Sequence, residues 1–256
     1  MKVMARIAKI RWLTWFCLLA CPEVMASAQP SEQQSEQPSP SRLDDQSCVI
    51  LLHGLARSSA SLSKLESVLA EHGAQVINRS YPSRDYPIEQ LADRAISPAL
   101  DTCHEAREVH FVSHSLGGIL IRQYLRQQPV ANLGRVVMLG PPNQGSEVVD
   151  KLAAVPGFHF INGDAGLQLG TGAMSIPKSL GPANFDVGII AGSRSVNLIL
   201  SLLIPGIDDG KVSIESSRLE GMRDHLVLPV THPFMMRNDQ VIEQVVFYLE
   251  HGRFQH

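Results

Sequence analysis

Val109-His110-Phe111-Val112-Ser113-His114-Ser115-Leu116-Gly117-Gly118 carries a largely apolar run into a serine, and Ile119-Leu120-Ile121-Arg122-Gln123-Tyr124-Leu125 continues it with helical spacing. The change of period predicts a buried strand, an abrupt turn at Ser115 and then a helix. A turn that tight strains the serine backbone and projects its hydroxyl clear of the sheet edge. Strand and helix backbones pass close together there, so the positions two before and two after the serine must be small. Gly117 meets the second requirement. Ser113 occupies the first position, and serine is among the smaller side chains that could replace glycine there.

Other segments place reactive side chains at strand ends. Cys48-Val49-Ile50-Leu51-Leu52 reads as a short buried strand running into His53-Gly54-Leu55. Leu226-Val227-Leu228-Pro229-Val230 reads as a late strand, followed by Thr231-His232-Pro233. Between them, Pro205-Gly206-Ile207-Asp208-Asp209-Gly210-Lys211-Val212 offers an Asp-Gly turn after an apolar stretch. Loops at the carboxyl ends of strands are where open α/β sheets bind their ligands.

With Gly140-Pro141-Pro142-Asn143-Gln144-Gly145-Ser146, these pieces resemble the α/β-hydrolase superfamily, on its bacterial lipase and serine-esterase branch. The resemblance runs from about residue 47 to the C-terminus. It implies an α/β fold, a mostly parallel sheet flanked by helices on both faces with a small cap insertion. It also implies the chain order serine, acid, histidine, which Ser115, Asp209 and His232 satisfy. In that scheme His232 takes the Ser115 proton and later returns it to the leaving group. Asp209 accepts the other imidazole N–H and fixes the tautomer. The backbone N–H groups of Leu55 and Leu116 are the implied oxyanion donors. In this fold the strand opened by Cys48 neighbours the strand that follows Cys103. A Cys48–Cys103 disulfide is therefore implied, with two buried free thiols as the alternative.

Each assignment has competitors. Asp208 rivals Asp209 but also suits capping the turn, and Asp186 precedes its strand and so belongs to the wrong end of the sheet. His225 is expected to precede its strand and point away from the site. His53 and His114 read as structural neighbours packed around the two elbow loops, whereas His72, His104, His110 and His159 lack partner spacing. Among ten histidines there is no H-E-x-x-H, and no C-x-x-C pair occurs, so no metal is expected. Two adjacent aspartates at 208–209 are thin material for a calcium site. No phosphate-loop or dinucleotide fingerprint appears, and no cofactor is expected.

The N-terminus reads as an export signal. Lys2, Arg6, Lys9 and Arg11 precede a short apolar run, and Ala26-Ser27-Ala28 fits a small-x-small cleavage site, making 1–28 a signal peptide. Leu18-Leu19-Ala20-Cys21 offers a rival reading, lipidation at Cys21 and attachment to a membrane. Residues 29–47, rich in Gln, Ser, Glu and Pro, are expected to form a disordered linker, leaving 48–256 as the folded domain. Periodicity predicts strands at 49–52, 74–80, 109–113, 135–139, 187–192 and 226–230, and helices at 61–71, 89–101, 117–127 and 239–251. Residues 143–184, with seven glycines, fall where a cap over the acyl pocket is inserted, either a moving lid or a fixed irregular cover. The apolar stretch 196–204 suits either the wall of an acyl groove or a core helix.

A formal net charge of −3 with scattered cations gives no basic stripe for nucleic acid. The expected activity is that of an exported, periplasmic or secreted enzyme cleaving small-molecule or lipid esters through an acyl-Ser115 intermediate. The alternatives are an acyltransferase or amidase on the same fold, or a non-catalytic binding protein. Activity is expected to fall in acid, because a protonated imidazole is no base.

Overall fold

Six parallel strands in the order β2-β1-β3-β4-β5-β6 build the sheet of the computed structural model, which describes residues 43–173 and 175–256. They are β1 (Ser47–Leu52), β2 (Gln75–Asn78), β3 (Glu108–His114), β4 (Leu133–Leu139), β5 (Val187–Gly192) and β6 (Asp224–Leu228). The helices are α1 (Ser63–Glu71), α2 (Ile88–Thr102), α3 (Leu116–Gln127), α4 (Glu147–Leu152), α5 (Phe158–Gln168), α6 (Ile176–Ser179), α7 (Leu198–Ser201), α8 (Ile214–Ser217) and α9 (Asp239–His251). The expected signal peptide, Cys21 and residues 29–42 of the expected linker lie outside the described residues. None of the described helices is long and apolar enough to cross a membrane.

A central parallel strand is covered on both faces, and β1 shows why its sequence is apolar throughout. Cys48, Ile50 and Leu52 join the core beneath α2 and α3, which supply Leu91, Ile96, Ile119 and Leu120. Val49 and Leu51 face the other core, built with Leu65 and Leu69 of α1 and Val241 and Val245 of α9. The sheet order reverses around β1, whose neighbours are β2 and β3. The crevice outside the carboxyl ends of β1 and β3 is thus the topological switch point, where such sheets hold ligands. His53-Gly54-Leu55 and Ser115 both fall there.

Several boundaries differ from the sequence reading. The fold begins before residue 48: Leu43 is buried in the core, Asp44 pairs with Arg107 at 2.9 Å, and Ser47 already belongs to β1. One apolar side chain and one ion pair hold five residues that composition assigned to the linker. The last strand ends at Leu228, ahead of Pro229, which has no N–H to give. It starts at Asp224, so His225 lies within the strand and does not precede it. The strand read at 74–80 is shorter, and a 3₁₀ turn at Ser59–Leu62 leads into α1.

Cys48 and Cys103, both buried, are joined by a disulfide with their Cα atoms 5.8 Å apart. The bridge ties the start of β1 to the end of α2, a sequence separation of 55 residues. A loop of that length corresponds to about 4 kcal/mol in the chain-entropy account. The double variant Cys48→Ala/Cys103→Ala is expected to lose about that much in urea unfolding, and an unchanged midpoint would contradict the linkage.

Candidate active site

Ser115 separates β3 from α3 with φ 53° and ψ −119°, a left-handed backbone that a serine adopts only under constraint. Its N–H donates to the Leu139 carbonyl at 2.9 Å, which pins the elbow to β4. Gly117 explains the small-residue requirement. A Cβ there would stand 2.5 Å from the Leu52 carbonyl oxygen, so the elbow helix can approach β1 only without one. Ser113 is fully buried, and its hydroxyl has no hydrogen-bond partner.

The structure brings Asp209 and His232 together at the same edge. The Asp209 carboxylate, 1% exposed, accepts from His232 Nδ1 at 2.7 Å through one oxygen. Its other oxygen accepts from the Lys211 and Val212 N–H groups at 3.0 and 2.8 Å. The His232 N–H in turn donates to the Asp209 carbonyl at 2.9 Å. A carboxylate only accepts, so Nδ1 carries the proton and Nε2 is the basic nitrogen. Gly140, at the end of β4 with φ +54°, leaves room for this pair. A Cβ there would lie 3.0 Å from Asp209 Oδ2 and 3.1 Å from His232 Nδ1. Gly140→Ala is expected to lower kcat on an activated ester about tenfold to a hundredfold, from roughly 1–3 kcal/mol of strain. A wild-type rate in a folded variant would show that the contact is unimportant.

The loop after β1 is organised by His53. Its Nδ1–H donates to the Gly54 carbonyl at 2.9 Å, and its Nε2 accepts from the Tyr81 N–H at 3.2 Å. Tyr81 stacks on the ring and its hydroxyl donates to the His53 carbonyl. Burial pushes the His53 imidazole below its usual range, which favours this neutral form. The Gly54 carbonyl also accepts from the Arg57 N–H at 3.2 Å. A trans peptide is planar, so fixing that carbonyl fixes the opposed direction of the Leu55 N–H. The Leu116 N–H opens α3, where helix donors lack intrahelical partners.

The six-stranded parallel sheet flanked by helices agrees with solved structures. Lipase BlEst2 of Bacillus licheniformis in its mature form superposes with a TM-score of 0.63 at 20% identity, over 84% of this chain and 95% of that one. The chain has the α/β-hydrolase fold. Lipase B of Aspergillus fumigatus (TM-score 0.58, 16% identity, 83% of this chain and 55% of that one) and an esterase of Exiguobacterium antarcticum (0.54, 14%, 79% and 91%) are similar to it in the same way. The lysosomal thioesterase PPT2-B of Xenopus laevis is 29% identical over 112 residues, 38% of this chain. The match spans 36% of that curated relative's length. No protein-family model matches.

Within this α/β-hydrolase fold, His114 has a part that its sequence position did not disclose. Its Nε2–H donates to the His232 carbonyl at 3.0 Å across 118 residues, and the two rings lie 4.7 Å apart. Burial, then the neighbouring His232, push its pKa well down. Its Nδ1 is buried without a partner, as suits an unprotonated nitrogen. The sequence offered only its adjacency to Ser115 as a signal.

The competing residues fall elsewhere. Asp208 accepts from the Gly210 N–H at 2.7 Å and the Ser201 hydroxyl at 2.8 Å, holding the turn. Asp186 precedes β5, where Tyr248 donates to it. His225 pairs with the Ser217 hydroxyl at 2.9 Å, and burial lowers its pKa to about 4. His110 is buried in β3, accepts from the Arg135 N–H at 2.9 Å, and is likewise lowered to about 4 by burial. His72, His104 and His159 are exposed. Among the described residues no cluster of three or more His, Cys, Asp or Glu side chains is arranged to hold a metal.

Ser115 and His232 line one cavity of ≈ 350 Å³. Residues 143–184 form α4, α5 and α6 and supply much of its wall, including Val148, Leu152, Phe158 and Leu169. The buried guanidinium of Arg122, on α3, pins this insertion. It donates to Asn143 through its carbonyl and side chain at 3.1 Å, and to the carbonyls of Pro177 and Gly181 at 2.9 and 2.8 Å. The stretch 196–204 is no core helix: Leu198, Ile199 and Leu202 are at least three-quarters exposed, while Leu200 reaches the cavity.

Proposed function

We propose that the chain is an exported serine hydrolase of carboxylic esters, acting through Ser115, His232 and Asp209. The observation that carries this reading is the 2.7 Å Asp209–His232 pair, whose His232 lines the same cavity as a serine held at φ 53°. His232 Nε2 accepts the Ser115 proton as Oγ bonds the acyl carbon. The charge on the former carbonyl oxygen is met by the Leu55 and Leu116 N–H groups. As the intermediate collapses, the bond from acyl carbon to alcohol oxygen breaks and His232 returns the proton to that oxygen. Water then attacks the acyl-serine by the same route, giving acid and free serine. Asp209, fixed by two backbone donors, stabilises the imidazolium in both halves.

The apolar wall favours a hydrophobic acyl group. Exposed Val155 and Ile161 line the cavity, and exposed Leu198, Ile199 and Leu202 neighbour its lining residue Leu200 in sequence; both support a lipidic substrate. The Cys48–Cys103 bridge suits an oxidising compartment, which agrees with the N-terminal export pattern. The test is a series of p-nitrophenyl esters of rising acyl length on purified protein. Turnover is expected, with kcat/KM rising from acetyl towards medium chains. Absence of turnover across the series would overturn the reading.

A further inference from the structure

Two charged side chains line the cavity without a task in the reaction just described: Arg57 and Lys211. No Asp or Glu accompanies them on the wall, although the chain carries 25 acidic residues against 22 Lys and Arg. Neither cationic head has a hydrogen bond or an ion pair among the described residues. Both hang from backbone that builds the reaction centre. The Arg57 N–H holds the Gly54 carbonyl, which aims the Leu55 donor, and the Lys211 N–H holds the Asp209 carboxylate. Ala56, immediately before Arg57, is held at φ 54°, with its N–H on the Ser83 hydroxyl at 3.0 Å. The backbone that carries the two cations is therefore fixed beside the reaction centre.

Like charges brought together without a counter-ion are unfavourable, and the effect registers on Lys211. Partial enclosure, then the Arg57 charge, push its ammonium below the usual range, although Asp209 opposes this. An anion lying between the two heads reverses that cost. A guanidinium and an ammonium together match a phosphate in charge and in donor number. Most of the hydrophobic wall comes from the insertion and from Leu200, with Leu55 and Val212 beside the cations, whereas the cations themselves come from the loops after β1 and after Asp209. An acyl chain laid against the insertion would leave the cationic loops to the alcohol part of the ester.

We propose that Arg57 and Lys211 form an anion-binding pair that selects acyl esters whose alcohol part carries a phosphate. This rests on Ser115 being the nucleophile of an ester hydrolase. In the acylation step the departing oxygen takes the proton from His232, so the phosphorylated alcohol leaves neutral at the reacting oxygen while its phosphate stays on the two cations.

The test compares 1-decanoylglycerol 3-phosphate with 1-decanoylglycerol, which differ only in the phosphate, both below their aggregation concentrations. At low salt the wild-type kcat/KM is expected to favour the phosphorylated ester about tenfold, and half-molar salt to erase most of that preference. Arg57→Gln and Lys211→Gln are each expected to lower the preference ratio severalfold, and the double variant to bring it near one. As a measurement independent of turnover, glycerol 3-phosphate is expected to slow fluorophosphonate labelling of the wild type but not of the double variant. A wild-type ratio near one, a ratio unmoved by the substitutions, or no protection by glycerol 3-phosphate would overturn the anion site while leaving the hydrolase intact. Failure of the fluorophosphonate to label Ser115 at all would instead remove the hydrolase reading beneath it.

Discussion

Ser115→Ala is expected to lower ester turnover by roughly a millionfold and to abolish labelling by a fluorophosphonate. The size follows from the way a nucleophile and its base act as one unit, where removing either costs about as much as removing both, on the order of 10⁶ in kcat. The substitution removes one hydroxyl from a half-buried position and leaves the Ser115 N–H on Leu139, so the elbow itself is expected to persist. The strained φ also persists, since alanine tolerates it no better than serine. An unchanged melting temperature beside the lost labelling assigns the effect to chemistry. Residual labelling at the wild-type rate would mean another residue is the nucleophile.

Asp209→Asn is expected to cost about 10⁴ in kcat, the scale seen when a carboxylate is lost from behind a catalytic imidazole. The carboxamide oxygen can keep the Lys211 and Val212 N–H groups, so the loop has reason to stay in place. Its NH₂ then faces His232 Nδ1, which must become the acceptor. The proton moves to Nε2, the nitrogen needed as base, and no negative charge remains to stabilise an imidazolium. The distinguishing readout is the imidazole proton spectrum, in which the Nδ1–H resonance of the wild type is expected to vanish. A variant within tenfold of wild type would show that Asp209 has no part in the reaction.

The strand-turn-helix at 108–127 was legible because the apolar period changes across a single residue, a local signal that tertiary contacts did not alter. Asp209 and His232 were legible because each follows an apolar run at a turn that glycine or proline marks. The last strand was misplaced because Val230 is apolar and buried, yet Pro229 leaves the ladder. Residues 43–47 were read as linker because one leucine among polar neighbours carries little weight until the Arg107 pair and the core around Leu43 are seen. The space at Gly140 and the His114 bond to His232 depend on segments far apart in the chain, which no local pattern encodes. The same holds for 196–204, where hydropathy reports an apolar run but not which of its sides the fold leaves uncovered.

Arg122 lies on the helix whose first residue follows Ser115, and its guanidinium grips both feet of the insertion, at Asn143 and at Pro177 and Gly181. The cavity wall is thus anchored to the same helix that Ser115 precedes. An acyl chain bound as proposed would find its depth set by the wall that Arg122 holds relative to Ser115. On the proposed reading, fitting longer acyl chains means re-cutting the wall at residues such as Leu152 or Leu169.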